Sequence, residues 1–171
     1  MNQSEKIIWR REFDTGVAEI DEQHRTLVKM FNKARGELRD DSSRGVWENV
    51  THEFLGYALF HFWTEEDLAA QYGYQQERDA EAAAHFEEHR AFAAEITDLR
   101  VRFRSGERLR KADFIDFLRN WLATHIVESD QWLVAFILDK QRQASEALGA
   151  SARGRSPGGA YRETGRTQLL Q

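Results

Sequence analysis

The chain has 171 residues, 41% of them hydrophobic and 31% charged, which is typical of one globular domain with a buried core. It contains no cysteine, so disulfides, thiolate metal sites and cysteine nucleophiles are excluded, and its net charge of −5 argues against general nucleic-acid binding. The longest apolar run, residues 132–138, is too short for a membrane span, and the N-terminus is polar, so we expect a cytoplasmic protein without membrane contact.

A single proline and 11 glycines favour a mostly helical chain. Residues 1–18 lack clean periodicity, and we expect an ordered arm packed over one end of the domain. Apolar residues at steps of three and four then predict four amphipathic helices joined by short polar loops. The pattern predicts an all-α, up-down-up-down four-helix bundle. The predicted helices cover approximately residues 20–38, 44–72, 82–103 and 111–143.

The periodicity fails from about Ala144, where serine, glycine and arginine dominate. This composition predicts a disordered C-terminal tail over residues 144–171, after a helical domain over residues 1–143. The tail carries a small positive charge, so the alternative to a solvated tail is a weak contact with an acidic partner.

Five of the six histidines fall on the apolar faces of the predicted helices, together with two carboxylates. Residues four apart share one helix face, and metal sites in bundles are built from inward-facing side chains of neighbouring helices. His52 lies nine residues before His61, about 180° around the helix, and is predicted to face outward. The remaining set is too large for one metal and fits two. The predicted metal ligands are His24, His61, Glu65, His85, His89, His125 and Asp130.

Asp130 is the member of this set that does not fit a regular helix. It follows His125 by five residues, which turns it by about 140°. One π-helical turn near Ser129 would realign it, and such turns favour functional sites. With that turn, residues 133 and 137 would continue the apolar face; without it, residues 132 and 136 would do so equally well, and Glu128 would be the substitute ligand. The sequence leaves both alternatives open.

The ligand types narrow the metal and its chemistry. Five imidazoles, two bridging carboxylates and one bridging solvent oxygen would leave one position open on a pair of six-coordinate metals, where a small ligand can bind. Imidazole and carboxylate together favour iron. The Glu-x-x-His pairs of oxygen-activating di-iron bundles are absent from these helical positions. Reversible ligand binding is therefore favoured over oxidation chemistry.

The chain resembles the hemerythrins, specifically the single-domain bacterial ones, from about Trp9 to Asp139. The motifs are W-R-R-E-F-D-T-G-V-A-E-I-D-E-Q-H ending at His24, H-F-W-T-E-E from His61, H-F-E-E-H-R-A-F from His85 and W-L-A-T-H-I-V-E-S-D ending at Asp130. The resemblance implies two iron ions with an oxo or hydroxo bridge and dioxygen bound at a five-coordinate iron. By resemblance, His85, His89 and His125 would hold one iron and His24 and His61 the other, with Glu65 and Asp130 bridging.

Residues beside these ligands have two interpretations. Six apolar side chains are expected either to line a small dry pocket for dioxygen or to pack the core: Leu27, Val28, Phe62, Trp121, Leu122 and Ile126. Three acidic neighbours, Glu66, Glu88 and Glu128, are expected to be solvated.

We expect an oxygen carrier, store or sensor without catalytic residues, monomeric and with an unknown protein partner. The alternative is a di-iron peroxidase or nitric-oxide-reacting enzyme that uses the same ligands. Iron storage would need a cavity or many acidic sites, which the sequence does not offer. A purely structural bundle would leave five buried histidines at a cost in free energy.

Overall fold

The computed structural model describes residues 6–154, with side chains as far as Ser151. All regular secondary structure in this part of the chain is helical, and its long helices form the predicted bundle. The helices are α1 (Ala18–Glu37), α2 (Arg44–Tyr72), α3 (Tyr74–Glu77), α4 (Asp79–Arg104), α5 (Lys111–Thr124) and α6 (Asp130–Gly154), with a 3-10 turn (Arg11–Phe13) before α1 and a π-helical turn (His125–Ser129) between α5 and α6.

Helix α2 begins and ends where the sequence predicts, because both ends carry capping residues. The Ser43 side chain accepts a hydrogen bond from the backbone N–H of Val46 at the first turn. At the other end Gly73 has φ 78°, a left-handed conformation that costs glycine little, and its N–H bonds the last carbonyls of the helix. The chain then turns directly into the short helix α3.

Two hydrophobic clusters fill the bundle interior. On α2, α4 and the segment of α5 and α6, the candidate ligands lie where the residues of one cluster end and those of the other begin. The larger cluster includes Phe31, Trp47 and Phe54, all at most 1% exposed. The smaller one, around Tyr74 and Leu133, packs the opposite end of the bundle. Because apolar residues bound the polar site on both sides, the packing that stabilises the fold also removes the site from water.

From Lys6, where the described residues begin, the N-terminal arm lies along the side of the bundle, against α1 and α5, and not over one end as the sequence predicts. The amide of Asn32 on α1 makes two hydrogen bonds with the backbone of Ile7, at 3.0 and 2.8 Å. The buried carboxylate of Asp21 accepts bonds from the backbone N–H and hydroxyl of Thr15, at 2.7 and 2.8 Å. These contacts hold the arm to α1 at both of its ends.

Helix α6 continues to Gly154, so the prediction of a disordered tail from Ala144 is wrong as far as that residue. The extension is exposed, with Leu148 74% accessible, which explains why no apolar periodicity marks it. Its alanines are strong helix formers and propagate a helix that is already nucleated inside the bundle. The rest of the predicted tail, residues 155–171, lies outside the described residues. No helix of the described part is long and apolar enough to cross a membrane.

Candidate metal centre

The four long helical segments of the bundle are α1, α2, α4 and the segment of α5 and α6 joined by the π-helical turn. They bring all seven predicted ligands to one interior location. Helix α1 supplies one histidine, α2 a histidine and a glutamate, α4 two histidines, the π-helical turn one histidine and α6 an aspartate. Each of these side chains is at most 3% exposed, whereas His52 lies at the surface of α2, as predicted.

The π-helical turn aligns Asp130 with His125. The backbone N–H of Asp130 bonds the carbonyl of His125, five residues back, in place of the four-residue ladder. Downstream, Leu133 and Ile137 are 0% exposed while Trp132 is 63% exposed, so the realigned face is the one that enters the core. The π-turn hypothesis is confirmed, and Glu128, the substitute ligand, is exposed.

The inward nitrogen and oxygen atoms form two donor groups that share Glu65. The three-histidine group consists of His85, His89 and His125 with Glu65, and the Nε2 atoms of His89 and His125 are 3.1 Å apart. The two-histidine group consists of His24 and His61 with Glu65 and Asp130. In each group the ligand atoms lie within 4.8 Å of one another, which is the spacing of donors around one ion.

The two carboxylates lie between the groups. Oδ2 of Asp130 is 2.9 Å from Nε2 of His24, while Oδ1 is 3.2 Å from Nε2 of His85 and 3.1 Å from Nε2 of His125. Oε2 of Glu65 is 3.1 Å from Nε2 of His89. The two oxygens of Asp130 face different donor groups, an arrangement suited to bridging two cations, while Oε2 of Glu65 also lies 3.6 Å from Nε2 of His61 in the other group.

Many of the inward atoms, although close to one another, do not meet in hydrogen-bond geometry and have no hydrogen-bond partner among the described residues. They include Nε2 of His24, His61 and His85 and all four carboxylate oxygens of Glu65 and Asp130. Buried polar atoms without partners cost free energy, and cations at the centre of each group would satisfy them. Neutral imidazole nitrogens with carboxylate oxygens are a donor set that suits transition metals. The residues therefore fit a pair of metal ions.

Three polar side chains contact the outer nitrogens of the ligand rings. Oε1 of Gln23 is 3.0 Å from Nδ1 of His61. Oε1 of Glu66 is 3.0 Å from Nδ1 of His89, and Oε2 of Glu88 is 2.9 Å from Nδ1 of His125. The prediction that these two glutamates are merely solvated is wrong. Each of the three is adjacent in sequence to a predicted ligand, so its side chain leaves the helix at the edge that faces a neighbouring helix.

Burial and the mutual charges of these groups shift their pKa values in opposite directions. Burial disfavours the imidazolium and lowers the pKa of His61 to about 4. Burial acts the same way on His125, but Asp130, Glu65 and Glu88 outweigh it and raise the pKa of His125 to about 10. Burial and the charge of Glu65 would raise the pKa of Asp130, yet the surrounding histidines hold the pKa of this carboxyl below its usual range. Both carboxylates are therefore anionic at neutral pH, and a cation that binds at Nε2 of His125 displaces the proton that this ring otherwise holds.

The six predicted pocket residues lie in three different settings. Val28, Leu122 and Ile126 line a cavity of about 540 Å³ that lies between the arm and helices α1 and α5. Phe62 and Trp121 instead stack on ligand rings, with ring centroids 4.0 Å from His89 and 4.4 Å from His125 respectively. The sixth, Leu27, is fully buried in the larger cluster.

Comparison with known proteins places this geometry in a family. The family model described as "Hemerythrin HHE cation binding domain" matches residues 15–137. A bacteriohemerythrin of Pseudomonas aeruginosa is 32% identical over 124 residues, which cover 72% of this chain and 76% of that protein. A bacteriohemerythrin of Methylococcus capsulatus is 32% identical over 123 residues, 70% of this chain and 87% of that protein. A crystal structure described as wild-type hemerythrin superposes with a TM-score of 0.66 at 28% identity, covering 77% of this chain and 97% of the other. The chain belongs to the hemerythrin family.

Proposed function

We propose that the seven buried side chains hold two iron ions and that the chain binds dioxygen reversibly at one of them. The observation that carries the proposal is the position of Asp130, whose two carboxylate oxygens face different histidine groups. On this proposal the chain is an oxygen carrier, store or sensor, and Asp130 and Glu65 bridge the two ions together with an oxo or hydroxo group.

The division of histidines supports a proposal for the open position. The three-histidine group supplies one more nitrogen than the two-histidine group, so with both carboxylates bridging, the open position would belong to the iron held by His24 and His61. Ferrous iron there supplies the reversible electron donation that dioxygen binding needs. The chain itself fixes the ligand rings through Gln23 and the two outer glutamates, since a bond at Nδ1 sets the orientation of the ring.

The apolar surroundings support binding in preference to turnover. Val28, Leu122 and Ile126, at most 6% exposed, form an apolar inner wall of the cavity, whose outer lining carries charged side chains such as Lys6, Arg10 and Glu12. An apolar wall next to the metals would exclude water and anions, which would slow loss of the electron. The competing proposal, a di-iron peroxidase or nitric-oxide-reacting enzyme, uses the same ligands and differs in what it predicts for peroxide.

The test is anaerobic reconstitution with Fe(II) followed by cycles of air and argon. We expect two irons per chain and a visible absorption band that appears in air and fades under argon through repeated cycles. His24→Ala and His85→Ala should each reduce the iron content, whereas the exposed His52→Ala is the matched control and should retain two irons. One metal per chain, or none, would refute the site. Rapid turnover of peroxide without a stable oxygenated spectrum would favour the enzyme.

A further inference from the structure

The outer nitrogens of the three-histidine group contact carboxylates. Nδ1 of His89 lies 3.0 Å from Oε1 of Glu66, and Nδ1 of His125 lies 2.9 Å from Oε2 of Glu88. The hydroxyl of Ser129, in the π-helical turn, donates to the same oxygen of Glu88 at 2.6 Å and fixes that carboxylate. Two of the three rings in this group therefore have a negative charge behind them.

The two-histidine group has no such charge among the described residues. Nδ1 of His61 contacts the neutral amide oxygen of Gln23, whose own nitrogen donates to Thr64 at 2.9 Å and so sets the direction of the amide. Nδ1 of His24 has no hydrogen-bond partner in the described part of the chain. The two halves of the centre differ by two carboxylates in their outer contacts.

This difference changes how well each half stabilises a highly charged metal. An imidazole that donates its Nδ1–H to a carboxylate is a more basic ligand at Nε2, and the negative charge itself favours a metal of higher charge. A neutral amide orients its ring without adding charge. The side chains of Glu66 and Glu88 are 43% and 46% exposed, so water screens part of the effect, but both carboxylates act on the same half.

Resting on the proposed function, we infer that Glu66 and Glu88 are positioning residues that make the iron of the three-histidine group the first of the two to be oxidised. Removal of one electron from the diferrous centre by an external one-electron oxidant leaves Fe(III) in the three-histidine group. The iron of the two-histidine group, which has the open position on our proposal, stays Fe(II) until the second electron is removed.

The test is an anaerobic potentiometric titration of the diferrous protein with ferricyanide as oxidant, followed by visible absorption and by the electron paramagnetic resonance of the one-electron-oxidised form. Glu66→Gln and Glu88→Gln keep the size of each side chain and remove its charge. Each should shift the ferric-to-ferrous ratio of the first step about tenfold toward ferrous, at the low end of the effects of such outer contacts on metal binding. That is 59 mV for a one-electron couple. Glu87→Gln, next to Glu88 but 69% exposed and paired with Arg90, is the charge-matched control and should leave the first step unchanged.

A reciprocal variant keeps the inference testable if either glutamine variant loses iron. Gln23→Glu puts a carboxylate behind His61 and should make the second oxidation easier, so the gap between the two steps narrows. The inference is overturned if Glu66→Gln and Glu88→Gln leave the first step in place, if Glu87→Gln shifts it equally, or if Gln23→Glu moves the first step and not the second. Failure of the proposed function is a separate result, because the unaltered protein would then hold fewer than two irons before any oxidant is added, or would show no reversible absorption band in cycles of air and argon.

Discussion

Deletion of Val127 tests whether the π-helical turn is a single inserted residue that serves only to align Asp130. Val127 is 41% exposed, and its removal places the aspartate four positions after His125 instead of five. On a regular helix this spacing is about 40° around the axis, the same as for His61 and Glu65. The deletion should therefore convert the turn to α-helix, keep both ligands inward and keep the downstream core residues in register.

The matched control is deletion of Ala135, an exposed residue in the regular part of α6. No π-turn can absorb this deletion, so Ile137, 0% exposed, rotates by about 100° out of the core. Loss of one such buried side chain costs about 2–5 kcal/mol. For a chain of this size, each kcal/mol lowers the melting temperature by roughly 2–4 °C.

Thermal unfolding followed by far-ultraviolet circular dichroism, together with iron content, distinguishes the two deletions. We expect the Val127 deletion to melt within about 4 °C of the unaltered protein, a change of about 1 kcal/mol, and to bind two irons. The Ala135 deletion should melt at a clearly lower temperature. Equal losses of stability in both, or loss of iron from the Val127 deletion alone, would refute the idea that the turn only aligns Asp130.

Three further predictions concern single side chains. Gln23→Ala removes the partner of a ligand ring and should weaken iron binding about 10–100-fold in competition with a chelator, whereas Gln75→Ala, exposed on α3, should not. Leu122→Ala widens the cavity one turn from a ligand and should speed autoxidation of the oxygenated protein. Its control is Leu118→Ala, at a buried position one turn further away, which should lower stability without speeding autoxidation. Equal autoxidation rates in the two variants would contradict a gating role for Leu122. Burial raises the pKa of Tyr74 to about 12 from 10.0, so the stability that its neutral phenol contributes is complete below pH 10 and is lost as the pH rises through 12. Tyr74→Phe should remove this alkaline loss of stability, measured by urea unfolding at a series of pH values. The same alkaline profile in the variant and the unaltered protein would contradict the prediction.

The helices and the ligand set could be predicted from the sequence because both depend on local periodicity. The apolar steps of α2 fix its face, and Ser43 and Gly73 fix its ends. Even the irregularity before Asp130 was visible, since a five-residue spacing cannot keep two ligands on one face of a regular helix. The sequence could not choose between Leu133 and Trp132 as the next buried residue, because both are large and apolar and only packing against the other helices decides.

The contacts of Glu66 and Glu88 could not be predicted because they join different helices. A glutamate at the edge of a helix face has the same local pattern whether it points to water or to a ring on the next helix. The course of the arm is likewise a tertiary result, since Asn32 binds Ile7 across 25 residues. The extension of α6 is hard to predict for a different reason, because an exposed helix needs no apolar periodicity.

On the proposed function, and with the cavity beside the arm as the route to the centre, the arm would separate the rate of ligand exchange from the strength of ligand binding. The bundle and its two clusters hold the ligands and therefore set the equilibrium affinity of the site. Residues 6–13 form the outer wall of the cavity that leads to Leu122 and Ile126, and they contact the bundle mainly through Asn32 and a few side chains. A change in this wall would raise or lower the free-energy barrier that a ligand crosses both when it enters and when it leaves. Association and dissociation rates would change by the same factor, and the dissociation constant would stay the same.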